Sequence, residues 1–312
     1  MHILVTGACG YKGSVLVPKL LARGHRVRAF DSMWFGNELL PHSALEVIKG
    51  DVRNIEEVNL DSIDAIIHLS SVANDPCGDL EPKLTWEISC LATMQLADRA
   101  KRKGITRFIY ASSGSVYGIK EEAQVTEDLE LLPISEYNKT KMCGERILLS
   151  YEQDMVVQIV RPATVCGFSP RMRLDVSVNM LTMQALRKGK ITVFGGGQIR
   201  PNIHIDDITD FYIFLLDHPE HVGIYNAGFE NTSIQDIART VAKHVAAEIV
   251  VTPSNDPRSY RLNSDRLLAT GFVPKKTVED AIKEIVGMYR QGVVRDEDRW
   301  YNLKWMQKEL AL

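Results

Sequence analysis

A glycine-rich turn near the amino terminus constrains the fold of this chain more than any other feature. The apolar run at residues 3–5 predicts a buried strand, and residues 14–21 carry apolar side chains at helical spacing. Between them stand Gly7, Gly10 and Gly13, three residues apart. Glycines allow a tight turn and a close backbone approach, and the N–H groups that begin a helix attract phosphate. Strand, turn and helix together predict a site for the pyrophosphate of a dinucleotide.

Apolar runs and helical patterns alternate through the first half of the chain. Strands are predicted near residues 26–31, 45–52, 64–71, 107–111 and 155–160, with long helices near 84–103 and 136–149. This alternation indicates a parallel sheet covered on both faces, so the predicted fold is α/β, a doubly wound Rossmann sheet. Beyond residue 167 the pattern changes without a clean linker. We predict a Rossmann domain of residues 1–167 plus about 203–228, and a smaller, discontinuous C-terminal substrate domain of about 168–202 plus 229–312.

Composition and charge narrow the possible functions. Of the 312 residues 45% are hydrophobic, enough for one large α/β unit or two closely coupled domains. The net charge is −3 and no basic block is present, so no nucleic-acid partner is predicted. The longest apolar runs fall far short of the ~20 residues of a membrane span. Five dispersed cysteines without metal-ligand spacing fit a reducing compartment, so we expect a soluble cytoplasmic protein without a metal site.

The second predicted strand ends in an acid, Asp31. An aspartate in this place accepts hydrogen bonds from the hydroxyls of the adenosine ribose and repels a 2′-phosphate, so it favours NAD over NADP. The spacing from Gly13 to Asp31 is close to the expected ~20 residues. An ordinary loop aspartate is the alternative interpretation. Lys12, within the glycine loop, is a counter-signal because a cation near the phosphates could tolerate NADP.

Tyr137 and Lys141 stand four residues apart at the start of a predicted helix, for which Ser135 is a plausible N-cap, so they share one face. A phenol ionises near pH ~10, and a neighbouring cation favours its phenolate form. Such a phenol can exchange a proton with a sugar hydroxyl or carbonyl. Ser113 lies in a hydroxyl-rich loop after the fifth strand, where ligands of such sheets bind. Taken alone, the Tyr-Lys spacing also fits an exposed helix face.

Further short motifs follow in a fixed order along the chain. They are Gly50-Asp51-Val52, His68-Leu69, Ser112-Ser113, Val116-Tyr117-Gly118, Tyr137-x-x-x-Lys141, Arg161-Pro162 and Arg200-x-x-x-His204. With the glycine loop, they resemble the extended short-chain dehydrogenase/reductases, and more narrowly the nucleotide-sugar epimerases, dehydratases and reductases. Residues 168–175 also resemble a subgroup from bacterial surface-polysaccharide pathways. The resemblance implies a Rossmann domain that holds NAD tightly, a C-terminal domain over a nucleotide diphospho-sugar, and a homodimer formed through helices near 84–103 and 136–150.

The resemblance also implies roles for individual residues. Ser113 would orient the substrate hydroxyl beside Tyr137 and Lys141, and Asp51 would recognise adenine. The predicted cofactor-binding set is Gly7, Gly10, Tyr11, Lys12, Gly13, Asp31, Asp51, Val52, Leu69, Ser70, Ser71, Tyr137 and Lys141. The predicted substrate-binding set is Ser113, Ser115, Asn179, Arg173, Arg200 and Arg258. Guanidinium groups match phosphate oxygens in pairs, although each of the three arginines could equally form a surface salt bridge.

Departures from the family pattern rank the possible reactions. Sugar 4,6-dehydratases of this family carry an Asp-Glu pair where this chain has Gly114 and Ser115. Dehydration needs an acid and a base, so we place it below epimerisation. The preferred hypothesis is an NAD-dependent nucleotide-sugar epimerase that acts through a transient keto-sugar, with Tyr137 as acid and base. A nucleotide-sugar reductase or dehydrogenase shares the same machinery, and a non-catalytic NAD-binding protein is the hypothesis from another class.

Two histidines receive structural interpretations. His68 lies in a predicted buried strand and is expected to be a core histidine with satisfied hydrogen bonds. His204 could act as a base, but its apolar neighbours favour a structural hydrogen-bonding role.

Overall fold

The structure is a computed structural model that describes residues 1–254 and 259–309. Its strands are β1 (His2–Thr6), β2 (Arg26–Asp31), β3 (Leu45–Lys49), β4 (Ala65–His68), β5 (Arg107–Ala111), β6 (Val156–Pro162), β7 (Thr164–Cys166), β8 (Lys190–Phe194), β9 (Ile199–His204), β10 (Gly223–Ala227), β11 (Glu230–Ser233) and β12 (Glu248–Thr252). Every strand predicted for the first half of the chain is present.

The helices are α1 (Gly13–Ala22), α2 (Asp75–Leu80), α3 (Pro82–Trp86), α4 (Ala92–Arg102), α5 (Glu136–Leu149), α6 (Ser177–Lys188), α7 (Ile205–Asp217), α8 (Ile234–His244), α9 (Asp265–Leu268), α10 (Val278–Arg290) and α11 (Asn302–Glu309). The single helix predicted near 84–103 is instead α3 and α4 joined by a π-helical turn, Glu87–Leu91. Ser135 caps α5 as predicted, since its side chain accepts a hydrogen bond from Asn138 N.

One seven-stranded parallel sheet forms the centre of the molecule, in the order β10-β6-β5-β4-β1-β2-β3. From β1 the chain builds outward through β2 and β3, then returns to the other side of β1 and builds outward again from β4. The loops after β1 and β4 therefore diverge between neighbouring strands. Ligands of open α/β sheets bind at this switch point, outside the carboxyl ends of the strands. The predicted doubly wound Rossmann fold is confirmed.

Apolar clusters cover both faces of this sheet, and a third cluster lies apart from it. Ile3 and Val5 pack with α1 and α7 on one face, and Leu4 and Ile66 pack with α4 on the other. The third cluster joins α6, α8 and α10 around β8, which pairs in parallel with β12. A small sheet in the order β11-β9-β7 lies outside the main sheet. Sequence analysis missed β7, β9, β11 and β12, which are short or only partly buried.

The carboxyl-terminal helix departs from the predicted division into domains. Met306 of α11 packs into the apolar cluster on the α4 face of the main sheet, and Trp305 Nε1 donates to Trp34 O at 2.6 Å. The end of the chain thus returns to the Rossmann part, although residues 229–312 were assigned to the substrate domain. We retain the rest of the division as a proposal. Among the described residues, no helix has both the length and the apolar character needed to cross a bilayer.

Candidate active site

The three glycines of the turn after β1 differ in what surrounds them. Gly7 has a φ of +69°, and a Cβ there would lie 2.7 Å from Ser70 N. A Cβ on Gly13 would lie 2.3 Å from Ala8 O, so α1 packs directly against the turn. A Cβ on Gly10 would meet only Gly7 O, at 3.3 Å, and its other side faces the cleft. Gly7 and Gly13 are therefore needed for the turn itself, whereas Gly10 leaves room for a ligand.

Two backbone amides at the start of α1 face the same space. Within the residues that the structure describes, the N–H groups of Tyr11 and Lys12 donate no hydrogen bond to another protein atom. Free amides at a helix N-terminus, together with the positive end of the helix dipole, form a binding site for phosphate. The turn thus fits the pyrophosphate of a dinucleotide, as the sequence predicts.

The difference between Gly10 and Gly13 gives a matched pair of variants. Gly13→Ala should destabilise the fold by about 2 kcal/mol, because the new methyl group meets fixed backbone. Gly10→Ala should leave the melting temperature nearly unchanged but remove bound cofactor. Thermal melting and the cofactor content of the purified proteins measure both effects. A Gly10→Ala protein that still carries a full complement of cofactor would contradict the assignment of this loop.

One end of the cleft lies beyond the ends of β1 and β2, and we call it the Asp31 end. It is lined by Asp31, Asp51, Val52, Leu69, Ser70 and Ser71 among other residues. Asp31 Oδ2 accepts from Cys9 N at 2.9 Å, and Asp31 Oδ1 accepts from Met33 N at 2.7 Å. Burial raises the pKa of Asp31, although these two hydrogen bonds oppose the shift. The carboxylate is thus held in place, and its remaining lone pairs can accept the hydroxyls of a ribose.

Asp51 is held by Arg53, which donates to both carboxylate oxygens. Burial opposes ionisation of Asp51, but the bonds from Arg53 outweigh it and leave the pKa of this carboxyl below its usual value. The predicted contact of Asp51 with adenine stays a prediction.

Asp31 also supports a prediction about cofactor choice. Asp31→Asn should weaken NAD binding about tenfold to a hundredfold, because hydrogen bonds to a charged acceptor are worth about 1.5–3 kcal/mol. NADP should not lose affinity, since the variant no longer repels a 2′-phosphate. Calorimetric titration of the cofactor-free protein with NAD and with NADP measures both constants. An equal loss for the two cofactors would show that Asp31 supports only the loop.

We call the opposite end of the cleft the Tyr137 end. It is lined by Ser113, Ser115, Tyr137, Lys12 and Arg173 among other residues. Both ends share Gly7, Gly10 and Leu69, so they form one continuous cleft. Ser113 Oγ is hydrogen-bonded to Ser115 Oγ at 2.7 Å, and the Ser113 hydroxyl lies close enough to the Tyr137 phenol to act on its pKa. Burial outweighs the Ser113 hydroxyl and the charge of Arg173, and it leaves the pKa of Tyr137 above its usual value.

Lys141 lies one helical turn after Tyr137, and its ammonium points toward the end of β5. Lys141 Nζ donates to Ala111 O at 2.8 Å and lies 4.9 Å from the centre of the Tyr110 ring. Burial, and next the charge of Lys12, hold the pKa of Lys141 well below its usual value. The structure thus brings Ser113, Tyr137 and Lys141 to the end of β5, as the sequence predicts.

Lys12 lies at the Tyr137 end and not at the Asp31 end. Lys12 Nζ donates to Tyr212 Oη at 3.4 Å, across 200 residues of sequence. A 2′-phosphate belongs beside the adenosine ribose, so Lys12 is not placed to accept one. The argument that Lys12 could tolerate NADP is therefore wrong.

A buried ion pair holds together the elements that carry the residues of the Tyr137 end. Arg161 Nη2 and Glu145 Oε2 are 2.7 Å apart, and their side chains are 2% and 1% exposed. Ser112 Oγ also donates to Glu145, and Arg161 Nη1 donates to Tyr117 Oη at 2.6 Å. The pair joins β5, α5 and β6, so it fixes the strand end and the helix that carry Ser113 and Tyr137.

The predicted substrate residues have different outcomes. Arg173 lies in the cleft and pairs with Asp175 at 2.7 Å. Asn179 is fully buried; its amide donates to Tyr11 Oη at 3.0 Å and Arg173 O at 2.8 Å, and its oxygen accepts from Gly167 N. Through these bonds Asn179 positions Tyr11 and the 167–173 loop, and its predicted contact with the substrate stays a prediction.

The remaining two arginines of the predicted substrate set are Arg200 and Arg258. Arg200 is on β9, where it is paired with Thr232 of β11, and it is not among the described residues that line the Tyr137 end. Arg258 lies outside the described residues. Tyr260, which follows it closely, does line the Tyr137 end. Their predicted contacts with the nucleotide phosphates stay predictions.

Both histidine interpretations agree with the geometry. His68 is buried between Thr6 Oγ1 at 2.6 Å and Thr93 Oγ1 at 2.9 Å. Burial, and next Lys141, lower the pKa of His68 to about 3, so it is a neutral core residue. His204 Nδ1 accepts from Asp206 N at 3.0 Å and caps α7, which leaves Nε2 to donate to Glu284 Oε2 at 3.0 Å.

Arg171 is a residue of this region that sequence analysis did not assign. Its guanidinium lies 4.0 Å from the centre of the Phe35 ring at the Asp31 end, and Nη2 donates to Asn302 Oδ1 at 2.7 Å. Burial, and next Arg173, lower the pKa of Arg171 to about 9. Only its place two residues before Arg173, in a basic loop, could have indicated it.

Comparisons with known proteins agree with this geometry. The chain is 33% identical to the uncharacterized protein y4nG of Sinorhizobium fredii over 77% of this chain and 60% of that protein. It is 28% identical to UDP-glucose 4-epimerase of Mycolicibacterium smegmatis over 93% of this chain and 99% of the other. UDP-glucuronic acid 4-epimerase from Bacillus cereus, solved with UDP-glucuronic acid and NAD, superposes with a TM-score of 0.79 at 28% identity, covering 93% of this chain and 99% of the other.

A family model described as NAD dependent epimerase/dehydratase matches residues 3–228. This match spans the glycine loop, Asp31, Ser113, Tyr137 and Lys141. It confirms the family resemblance and the prediction of NAD as the cofactor. The chain therefore belongs to the NAD dependent epimerase/dehydratase family.

Proposed function

We propose that the protein is a nucleotide-sugar epimerase that acts through a transient keto-sugar. The observation that carries this proposal is that Ser113 and Tyr137 line the end of the cleft that begins at the glycine loop, with Lys141 buried beside them at the end of β5. NAD, when bound, accepts a hydride from the sugar and returns it. All other steps are assigned to side chains of this chain.

Tyr137 handles the proton at the reacting hydroxyl. Its phenolate oxygen accepts the hydroxyl proton as the carbon becomes a ketone, and the phenol gives the proton back when the hydride returns to the other face of the sugar. Ser113, which lines the same end of the cleft, orients the same hydroxyl. Lys141 supplies a donor and positive charge one helical turn away. The sugar has the same oxidation state before and after this cycle.

The residues beside Ser113 favour epimerisation over dehydration. Gly114 has no side chain, and Ser115 is hydrogen-bonded to Ser113 Oγ and Asn138 Oδ1. Removal of water from a sugar needs a carboxyl pair or its equivalent, and neither position supplies one. The epimerase relatives of Mycolicibacterium smegmatis and Bacillus cereus support the same choice.

Arg173 supports an anionic substrate such as a nucleotide diphospho-sugar. It lies in the wall of the Tyr137 end, and its charge acts on Tyr137. A guanidinium group can bind a phosphate through two parallel hydrogen bonds. Arg200 and Arg258 complete the proposed contacts with the nucleotide.

We also propose a homodimer formed through the helical stretch that contains α4, together with α5. Leu91 and Met94 on this stretch are 46% and 41% exposed. A second copy could cover these apolar side chains. Light scattering during size exclusion tests this proposal, and a monomer at micromolar concentration would contradict it.

The experiment that tests the proposed function uses the purified protein without added cofactor. UDP-, GDP-, dTDP- and CDP-sugars are incubated with it, and the sugar protons are followed by NMR. We expect a new epimer from one nucleotide series, with no change of oxidation state. Turnover only of a keto-sugar, and only with added NADH or NADPH, would instead identify a reductase.

A further inference from the structure

Lys12 is a charged side chain in the reaction cleft that the proposed chemistry does not use. It stands in the glycine loop, between Gly10 and Gly13. The half-buried side chain lines the Tyr137 end, and its ammonium lies 3.4 Å from Tyr212 Oη and 5.8 Å from the centre of the Tyr212 ring. Tyr212 is fully buried on α7. The lysine is thus held inside the protein.

No carboxylate compensates this charge among residues 1–254 and 259–309, where Lys12 forms no ion pair. The charged groups that act on it are cations. Burial, and next repulsion from Arg173, lower the pKa of Lys12 to about 8, and Lys12 in turn lowers the pKa of Lys141. The ammonium form still predominates at pH 7. The Tyr137 end therefore carries uncompensated positive charge in a partly dry environment.

The two ends of the cleft take different halves of NAD. Asp31 marks the end that receives the adenosine ribose, so the nicotinamide half belongs at the end that holds Ser113 and Tyr137. Lys12 lies at this second end. Oxidised nicotinamide carries a positive charge on its ring, and reduced nicotinamide does not. A fixed cation nearby raises the free energy of the oxidised form relative to the reduced form.

We propose that Lys12 shifts the binding preference of the cleft from NAD toward NADH, and so favours removal of hydride from the substrate. The inference rests on the NAD site and not on the epimerase reaction. It predicts a protein in which the first half of the reaction, oxidation of the sugar, is more favourable than it would be with an apolar residue at position 12.

Binding measurements test this directly, without any substrate. The protein is freed of cofactor, and the dissociation constants of NAD and NADH are measured by calorimetry for the wild type, Lys12→Met, Lys12→Gln and Lys12→Arg. Lys12→Met keeps a side chain of similar length without the charge, and Lys12→Gln keeps a polar group, so at least one of them is expected to fold normally. Lys103→Met, at the exposed end of α4, controls for the loss of a charge elsewhere.

We expect the preference for NADH over NAD to fall about tenfold in Lys12→Met and Lys12→Gln, as removal of one poorly screened charge predicts. Lys12→Arg and Lys103→Met should keep the wild-type ratio. An equal loss of affinity for both cofactors would mean that Lys12 only contacts the pyrophosphate, and an unchanged ratio would mean that it only packs on Tyr212. Either result overturns the proposal. Failure of the epimerase assay alone would not overturn it, because the proposal rests on the NAD site.

Discussion

Tyr137→Phe should reduce turnover about a thousandfold, because general acid–base catalysis by a positioned group contributes about 10²–10⁴ in rate. The variant keeps the ring and loses only the phenol hydroxyl group. NAD should remain bound, since the glycine loop and Asp31 are unchanged. NMR assays of product formation and the cofactor content of the purified variant measure these two effects separately.

Tyr110→Phe is the matched control for this experiment. Tyr110 is a buried tyrosine of the neighbouring strand β5, and its hydroxyl group makes no hydrogen bond within residues 1–254 and 259–309. Loss of that hydroxyl should leave turnover and stability nearly unchanged, because an unsatisfied buried polar group contributes nothing favourable. Near-wild-type turnover in Tyr137→Phe, with both variants folded, would refute the role of Tyr137.

Arg161→Met should destabilise the protein by about 3–5 kcal/mol, the usual effect of removing one partner of a buried ion pair. The substitution leaves the Glu145 carboxylate unpaired below the surface, where Arg161 Nε and Nη2 now donate to its two oxygens at 2.9 and 2.7 Å. Tyr117 Oη loses a donor as well. Urea unfolding monitored by circular dichroism measures the loss.

Two further variants sharpen this prediction. In Arg161→Met combined with Glu145→Leu, the loss should be smaller than the sum of the two single losses, because the second substitution removes the charge that the first leaves unpaired. Asp217→Ala breaks an exposed pair with Arg23, 2.9 Å apart, and should cost less than about 1 kcal/mol. Strict additivity at Arg161 and Glu145 would show that packing, not charge, explains the loss.

Local patterns made one part of the site predictable. The glycine turn, Asp31 and the Tyr137–Lys141 spacing each depend on a few neighbouring residues and on their place after a strand or at a helix start. Parallel strands that are buried on both faces are apolar throughout, so their order in the sequence indicated the sheet. For the same reason, His68 was recognised as a core residue.

Contacts between distant segments could not be predicted in this way. Lys12 meets Tyr212, and Arg171 meets Asn302, across more than a hundred residues. The hydrogen bonds that Asn179 makes with Tyr11 and Gly167 likewise have no signal in the residues next to it in sequence. The π-helical turn at Glu87–Leu91 has no clear local signal, because its residues continue a helical pattern.

Lys12 adds a positive charge to the residues that carry out the proposed hydride and proton exchange. The glycine loop, Asp31 and the Ser113–Tyr137–Lys141 set supply the parts that a hydride and proton exchange requires. The cation in the glycine loop lies at the reaction end of the cleft. If the binding ratio confirms its effect, this chain oxidises its sugar more readily than a relative with an apolar residue in that place.

The return of the hydride is the most direct test of a transient keto-sugar. The nucleotide sugar identified by NMR is prepared with deuterium on the carbon whose configuration changes, and it is converted in ordinary water. The account predicts that the epimer keeps the deuterium on that carbon, because the cofactor returns the same hydride that it accepted. Loss of the deuterium to solvent, or accumulation of NADH equal to the product, would contradict it.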